Sequence, residues 1–230
     1  MSRHRDGDLD SEPYSQATPP PRVQPQSQAI EFATGRPRVR LSTPADRRAI
    51  NRSIGRAFFD DPVAAYLFPE IEARRAGFGA FAELAMDQFA GAGETYVTDP
   101  VQGAAIWQSP SPPKLGFWRQ IGMAFRLLLI ARGGYGRAIR LSEKMEKHHL
   151  REPHWYLATL GVDPDVHGRG LGSALLQPIL ERCDGEVTPA YLESSKQSNI
   201  PFYQRHGFVV SGDIHIPDGP TIWQMVRVPA

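Results

Sequence analysis

A strongly apolar segment that runs into a glycine-rich turn and then into a helical pattern constrains this fold more than any other feature. Residues 160–176 read LGVDPDVHGRGLGSALL, with glycines at positions 168, 170 and 172. Glycine tolerates positive φ and lets the backbone approach a ligand closely. The first turn of a helix adds unpaired N–H groups and a partial positive charge. The segment therefore predicts a site for phosphate or diphosphate, to which Arg169 adds a cation.

Two other phosphate-binding loops fit this segment less well. A Walker A loop needs Gly-Lys followed by Ser or Thr, and the sequence has none. A dinucleotide fingerprint needs a third glycine where Ser173 stands and follows its strand directly, whereas Asp163 and Pro164 intervene here. Glu193 favours the fingerprint, because a ribose carboxylate lies about 20 residues after such a loop. A nucleotide-binding oxidoreductase therefore stays an alternative.

The composition changes near residue 37. Residues 1–37 contain six prolines and few apolar side chains. Such a segment cannot bury enough surface to offset its ordering entropy, so we expect a disordered, proline-rich tail. Residues 38–230 alternate between strand-like and helix-like patterns and predict one mixed α/β domain.

Within that domain, residues 155–162 are apolar on both faces and predict a central buried strand. Tyr156, Ala158, Leu160 and Val162 are expected to share one of its faces. The other predicted strands cover residues 38–41, 95–98, 104–108, 190–193, 208–211 and 221–228. The first predicted helix begins near residue 43, and a short second helix lies within 62–69. The third covers 78–89 and is expected to end at Gly91 and Gly93. Further helices are predicted in an insert at about 113–150, over 173–182 and over 200–205.

Charge and cysteine content exclude several classes of function. Lys and Arg number 26 against 25 Asp and Glu, for a net charge of +1, so we expect neither a nucleic-acid nor a membrane partner. The single cysteine, Cys183, excludes an internal disulfide framework and a cysteine-based zinc site, and we expect no metal. The polar N-terminus and the lack of an apolar run of about 20 residues predict a cytoplasmic protein.

Two motifs resemble the GNAT acyltransferase superfamily. Residues 167–172, His-Gly-Arg-Gly-Leu-Gly, are similar to its coenzyme A loop, with His167 where the family has Gln or Arg. Asn199-Ile-Pro-Phe-Tyr203 followed by Gly207-Phe208 is similar to a second family segment. From Trp155 onward the chain most resembles the puromycin N-acetyltransferase-like members of actinobacteria.

The resemblance implies a GNAT fold, with a mixed central sheet of about six to seven strands and helices on both faces. The sheet would splay at its central parallel pair and admit acetyl-CoA as cosubstrate. The implied cosubstrate-binding residues are Leu160, Gly161, Val162, His167, Gly168, Arg169, Gly170, Leu171, Gly172, Asn199 and Tyr203.

The resemblance also implies direct attack of an amine on the thioester, with Tyr203 as the acid that protonates the departing thiolate. Packing in a short helix is the alternative for Tyr203. The central strand offers no good base at Tyr156 or Ala158, so Glu193 on the next strand is the best candidate, acting directly or through water. A strand-end ion pair is an equal alternative for Glu193, and His154 is more simply a surface histidine. Cys183 is not expected to be a nucleophile.

In the family, the acceptor pocket lies between the first two helices and the loop joining the last strands. That implies Phe59, Asp60, Asp61 and Tyr66 facing residues 213–218, with Tyr156 nearby. A rim of carboxylates and aromatic rings favours a cationic amine. Helix caps and core packing explain the same residues equally well.

The leading hypothesis is an acetyl-CoA-dependent N-acetyltransferase acting on a primary amine of a small molecule, as a monomer or homodimer. A non-catalytic acyl-CoA sensor and a protein N-acetyltransferase are the alternatives. Antibiotic resistance is a hypothesis that depends on the acceptor.

Overall fold

The computed structural model describes residues 37–89, 93–111 and 134–230. All of them belong to the unit Arg36–Ala230. The predicted tail, apart from Pro37, and residues 112–133 of the predicted insert lie outside the described part of the chain.

The described elements alternate as the sequence predicts. The helices are α1 (Arg47–Ala57), α2 (Pro62–Leu67), α3 (Ile71–Phe89), α4 (Tyr135–His148), α5 (Leu171–Gly185) and α6 (Ile200–Gln204). The strands are β1 (Val39–Leu41), β2 (Gly93–Thr98), β3 (Gly103–Gln108), β4 (Trp155–Val162), β5 (Ala190–Ser194), β6 (Val209–His215) and β7 (Thr221–Arg227). None of the helices in these ranges combines the length and apolar character needed to cross a membrane.

Several boundaries differ from the sequence expectation, and β6, predicted over 208–211, extends over Val209–His215. Helix α3 begins at Ile71, before Phe78, the first residue of its predicted apolar repeat. Gly93 does not end that helix; it is the first residue of β2 and pairs with Gln108. The other predicted helix-ending residue, Gly91, lies outside the described part of the chain.

The seven strands form one mixed sheet in the order β1-β2-β3-β4-β5-β7-β6. Every neighbouring pair is antiparallel except β4 and β5, which are parallel. The predicted mixed sheet with a central parallel pair is confirmed.

Each face of the sheet carries its own apolar cluster. On one face α1, α2, α3 and α4 contribute Ile54, Leu67, Phe78 and Leu141. On the other face α5 packs on the strands through Leu175, Leu176, Ile179, Leu180 and Cys183. Burial of this apolar surface, at about 25 cal/mol per Å², holds the helices on both sides of the sheet.

The parallel pair separates after three residues. Trp155, Tyr156 and Leu157 pair with Ala190, Tyr191 and Leu192, and no further β4–β5 pair follows in the described strands. β4 continues to pair with β3 as far as Val162, so its other edge stays open beyond Leu157. The predicted splay of the sheet is therefore present, and it exposes main-chain groups that an extended ligand can pair with.

A β-bulge lies at this point of β4. Ile106 pairs with Thr159 and Trp107 with Leu157, which leaves Ala158 as the extra residue. The expectation that Tyr156, Ala158, Leu160 and Val162 share one face is therefore wrong. Tyr156 and Ala158 pack on the α1 side, whereas Leu160 and Val162 pack on the α5 side.

Candidate active site

The glycine loop joins the open end of β4 to the start of α5. Gly168 and Gly170 have φ values of +78° and +75°, in the region that favours glycine. Both are exposed, and a Cβ added at either would meet nothing within 4 Å. α5 begins at Leu171 with Gly170 as its N-cap, so the first-turn N–H groups lack intrahelical acceptors. This backbone can bind a diphosphate.

His167 holds the loop against the strand. Its Nε2 lies 2.8 Å from the main-chain oxygen of Val162. A carbonyl oxygen only accepts hydrogen bonds, so Nε2 carries the proton. The side chain therefore fastens the loop to the end of β4, while the main chain stays available to an anion.

Arg56 of α1 forms ion pairs with two carboxylates beside this loop. Its Nε lies 3.0 Å from Asp163 Oδ2, and its terminal nitrogen lies 2.7 Å from Asp165 Oδ2. An exposed ion pair adds little stability. Its charge nevertheless reduces the repulsion that the two carboxylates would exert on a diphosphate.

The second motif packs against the first. A Cβ at Gly172 would lie 3.2 Å from the Phe202 ring, so α5 and α6 approach closely. Asn199 precedes α6 and is exposed. Tyr203 is buried beside Phe202 and Phe208, with ring centroids 5.1 and 5.9 Å away.

The remaining predicted cosubstrate residues lie along the same path. Leu160 and Val162 are half-buried, and Gly161 is buried where a Cβ would lie 2.7 Å from Ile54. Arg169 is exposed in the loop, and Leu171 is half-buried at the first position of α5.

Burial raises the pKa of Tyr203 well above that of an ordinary tyrosine, and the nearby charge of Asp61 raises it further. The phenol therefore keeps its proton throughout the neutral range. It can donate a hydrogen bond to a departing sulfur, which is the role that the sequence predicts.

Glu193 lies at the centre of a hydrogen-bonded cluster where the strands separate. Its side chain is 1% exposed. Tyr156 donates to Oε2 at 2.7 Å, and Tyr191 donates to Oε1 at 2.9 Å. His149 Nδ1 lies 3.5 Å from Oε1. The carboxylate thus has a phenol from each of the parallel strands and an imidazole from the loop before β4.

The two phenols stay protonated. Burial is the main cause that raises the pKa of Tyr191 far above the ordinary value, followed by the charge of Glu193. Burial and the charge of Glu193, in the same order, also raise the pKa of Tyr156. Part of the Tyr156 side chain is exposed, but its hydroxyl is surrounded by protein and contacts Glu193. Both hydroxyls therefore act as hydrogen-bond donors to the carboxylate.

The residues predicted for the acceptor pocket do not converge on one place. Phe59 and Asp60 line an open groove of about 810 Å³ on the outer side of α1. Asp61 is buried and caps α2 through the N–H groups of Val63 and Ala64, and it accepts a 2.5 Å hydrogen bond from Ser195. Tyr66 packs against the turn between β6 and β7, where a Cβ at Gly219 would lie 2.9 Å from its ring. Tyr156 belongs to the Glu193 cluster.

Cys183 lies in the α5 cluster and is fully buried. Burial raises its pKa to about 11, so the thiolate is scarce at neutral pH. Among the described residues, no group of three His, Cys, Asp or Glu is arranged to hold a metal ion.

Several site residues escape sequence reasoning. Tyr191 could have been found, because it lies two residues before Glu193 on the same strand face. Arg56, His149 and Gln224 carry no sequence signal, since they reach the site only through tertiary packing.

Comparison with known proteins agrees with this geometry. The sequence model of the family described as Acetyltransferase (GNAT) domain matches residues 126–210. An uncharacterized N-acetyltransferase of Schizosaccharomyces pombe is 29% identical over 185 residues, which cover 70% of this chain and 69% of that protein. A mycothiol acetyltransferase of Propionibacterium freudenreichii is 32% identical over 91 residues, covering 38% of this chain and 29% of that protein.

A solved structure from Corynebacterium glutamicum, named histone acetyltransferase HPA2 and related acetyltransferase, is 28% identical with a TM-score of 0.66. The match covers 85% of this chain and 98% of that one. Over the matched residues the chain is similar to the GNAT acetyltransferase domain, and its split sheet shares the fold of the Corynebacterium acetyltransferase structure.

Proposed function

We propose that this enzyme transfers the acetyl group of acetyl-CoA directly to a primary amine of a small molecule. The observation that carries the proposal is the open edge of β4 between Leu157 and Val162, which leads from the Glu193 cluster to the glycine loop. Acetyl-CoA supplies an activated thioester carbonyl with a thiol leaving group. The chain supplies the track, the anion site and the proton donors and acceptors.

The open edge sets the position of the cosubstrate. Leu160, Gly161 and Val162 present main-chain groups to an extended pantetheine arm, as a strand edge does to an added strand. The loop from His167 to Gly172 then receives the diphosphate. Asn199 and Tyr203 border the same arm from α6. This places the reacting carbonyl near the point where β4 and β5 separate.

Glu193 is the base in this proposal, and Tyr156 connects it to the amine. The carboxylate is too enclosed for direct contact, whereas Tyr156 keeps part of its surface exposed and donates to Oε2. As the amine N–H proton moves to the Tyr156 oxygen, the Tyr156 proton moves to Glu193. Tyr203 gives its proton to the sulfur as the C–S bond breaks, and the tyrosinate then regains a proton from solvent.

Tyr66 and the β6–β7 turn form the acceptor side in this proposal. The Tyr66 hydroxyl oxygen is buried and lacks a hydrogen-bond partner among the described residues. An acceptor with a hydrogen-bonding group near its amine would satisfy that oxygen. The resemblance to puromycin N-acetyltransferase-like members supports a small-molecule amine and suggests no particular one. A protein amine is the second candidate, because the Corynebacterium relative is named a histone acetyltransferase.

The decisive experiment measures thiol release from acetyl-CoA with a panel of amines. We expect turnover with at least one small primary amine and faster turnover than with histone tails or peptide N-termini. Binding of acetyl-CoA without turnover on any amine would instead favour the sensor alternative. Faster turnover on peptides would favour the protein acetyltransferase.

Gly170→Ala is expected to weaken acetyl-CoA binding and leave chemistry intact. The left-handed backbone conformation costs alanine about 1–2 kcal/mol more than glycine. The loop of the free variant is therefore expected to adopt another conformation, and acetyl-CoA binding must restore the original one. The KM for acetyl-CoA should rise about 5- to 30-fold with kcat within about twofold, since about 1.4 kcal/mol corresponds to a factor of ten.

Gly185→Ala is the matched control, because Gly185 ends α5 with no positive φ and open space around its Cα. A KM that is unchanged in Gly170→Ala, or raised equally in both variants, would contradict the role of the loop.

A further inference from the structure

The proposed reaction requires a path by which the buried carboxyl group of Glu193 can return its proton to solvent. Glu193 gains a proton in each cycle and must lose it before the next, yet its side chain is 1% exposed. Tyr156 and Tyr191 donate to it, and their pKa values are strongly raised. Each phenol is therefore already protonated and cannot take up the extra proton from Glu193. Among its described contacts, His149 is partly exposed, at 31%, and an imidazole can both accept and donate a proton through its ring nitrogens.

A chain of hydrogen bonds determines the protonation of the two histidines. His154 Nδ1 lies 2.6 Å from the main-chain oxygen of Glu152, so Nδ1 carries the proton. In neutral His154, Nε2 is then an acceptor, and it lies 3.2 Å from His149 Nε2. His149 must therefore donate through Nε2, which directs its Nδ1 at Glu193.

The neutral form of His154 is supported independently. Burial is the main cause that lowers its pKa below the ordinary histidine value, and the neighbouring His149 also lowers it. The hydrogen bond to the main-chain oxygen of Glu152 and the charges of Glu193 and Glu152 raise the pKa of His154 but do not reverse the shift.

His149 Nδ1 and Glu193 Oε1, 3.5 Å apart, would repel each other if both presented lone pairs. Their contact therefore requires one shared proton, on the imidazole or on the carboxyl group. The other titratable groups facing this pair are Tyr191 on β5, Tyr156 on β4, and His154 and Glu152 before β4. The Gln224 amide of β7 donates to Tyr191 Oη and to the main-chain oxygen of His148, and so holds the end of α4 over the strands.

We propose that His149 carries the proton from Glu193 to solvent in each turnover, with His154 as a positioning residue that fixes the tautomer of its ring. This inference rests on the proposed function of Glu193. At rest the pair holds one proton, with an imidazolium at His149 and a carboxylate at Glu193. When the amine N–H proton has displaced the Tyr156 proton onto Glu193, His149 releases its Nδ1 proton to water and keeps its Nε2 proton on the side of His154. The carboxyl proton then moves to Nδ1 and restores the starting state.

The histidines do not form a metal site in this arrangement. The two ring nitrogens of His149 face different partners, one on each side of the ring. A shared metal ion would need the donor atoms to converge on one point, whereas a proton relay needs them in series.

The test compares His149→Gln with His148→Gln. Glutamine keeps hydrogen-bonding capacity and cannot carry the proton. His148 is the matched control, because its exposed ring lies against the main-chain oxygen of Lys144, and its contact with Gln224 is through the main chain. We expect kcat of His149→Gln to fall about 10²-fold, the low end of a general acid–base contribution, with the KM for acetyl-CoA unchanged.

The diagnostic readout is the dependence of kcat on imidazole buffer concentration at fixed pH and ionic strength. Imidazole should restore turnover in His149→Gln and leave the wild type and His148→Gln unaffected. Wild-type kcat in His149→Gln, or a loss that imidazole does not restore, would overturn the relay while leaving the proposed function intact.

Side-chain ¹⁵N spectra of the full chain test the same arrangement without turnover. We expect neutral His154 to carry its proton on Nδ1 and His149 to carry one on Nε2. The reverse arrangement on either ring would overturn the proposal, even if no amine supported turnover and the proposed function itself failed.

Discussion

Glu193→Gln is expected to lower kcat by about 10²–10⁴-fold, the range of a general base, with little change in acetyl-CoA affinity. The substitution keeps the shape of the side chain and removes its ability to take a proton through Tyr156. The Kd for acetyl-CoA should stay within about threefold of wild type, because Glu193 lies beyond the main-chain track of β4. Steady-state kinetics and calorimetry measure the two quantities.

Glu181→Gln is the matched control, since Glu181 is exposed on α5 and contacts Gln177. Its kcat should equal that of wild type. A Glu193→Gln enzyme that folds normally and keeps kcat within about threefold would assign Glu193 a structural role only, because removal of a general base costs about 10²-fold or more.

Tyr203→Phe is expected to lower kcat by about 10²-fold, the low end for a general acid, because a thiol is already a good leaving group. The pKa of Tyr203 is raised above the ordinary value of about 10, so its protonated form persists from neutral pH through about pH 10. Loss of the hydroxyl should therefore lower the whole pH profile of kcat without moving an alkaline limb that lies below pH 10.

Tyr96→Phe is the control for this change. Tyr96 lies on β2 and donates to Glu94, and burial raises its pKa to about 12. It shares the chemistry of Tyr203 and lies outside the proposed track. An alkaline limb that shifts in Tyr203→Phe, or an equal loss of kcat in both variants, would refute the assignment of Tyr203.

Local patterns predict the order of strands and helices well, with errors confined to places where local signals are ambiguous. The apolar alternation of residues 155–162 predicts β4, but the bulge at Ala158 reverses the faces of its second half. A bulge depends on how the neighbouring strand pairs, and β3 contributes that information. The side-chain face is thus predicted correctly only up to Ala158.

The candidate site divides in the same way. The loop, His167 and Tyr203 come from contiguous motifs, and the structure brings the two motifs together through Gly172 and Phe202. The acceptor residues were inferred from family position, and packing distributes them over a groove, a helix cap and a turn. No local pattern records which side of a helix meets which strand.

By itself, the amino-acid sequence determined the glycine loop, because positive φ at Gly168 and Gly170 is a local backbone requirement. It also determined the succession of strand, loop and helix that carries the loop. Only the tertiary structure decided where β4 and β5 part and what surrounds Glu193. Those features join residues such as Tyr156 and Glu193, 37 positions apart, and Asp61 and Ser195, 134 apart, and contacts over such separations depend on how the whole sheet and its helices pack.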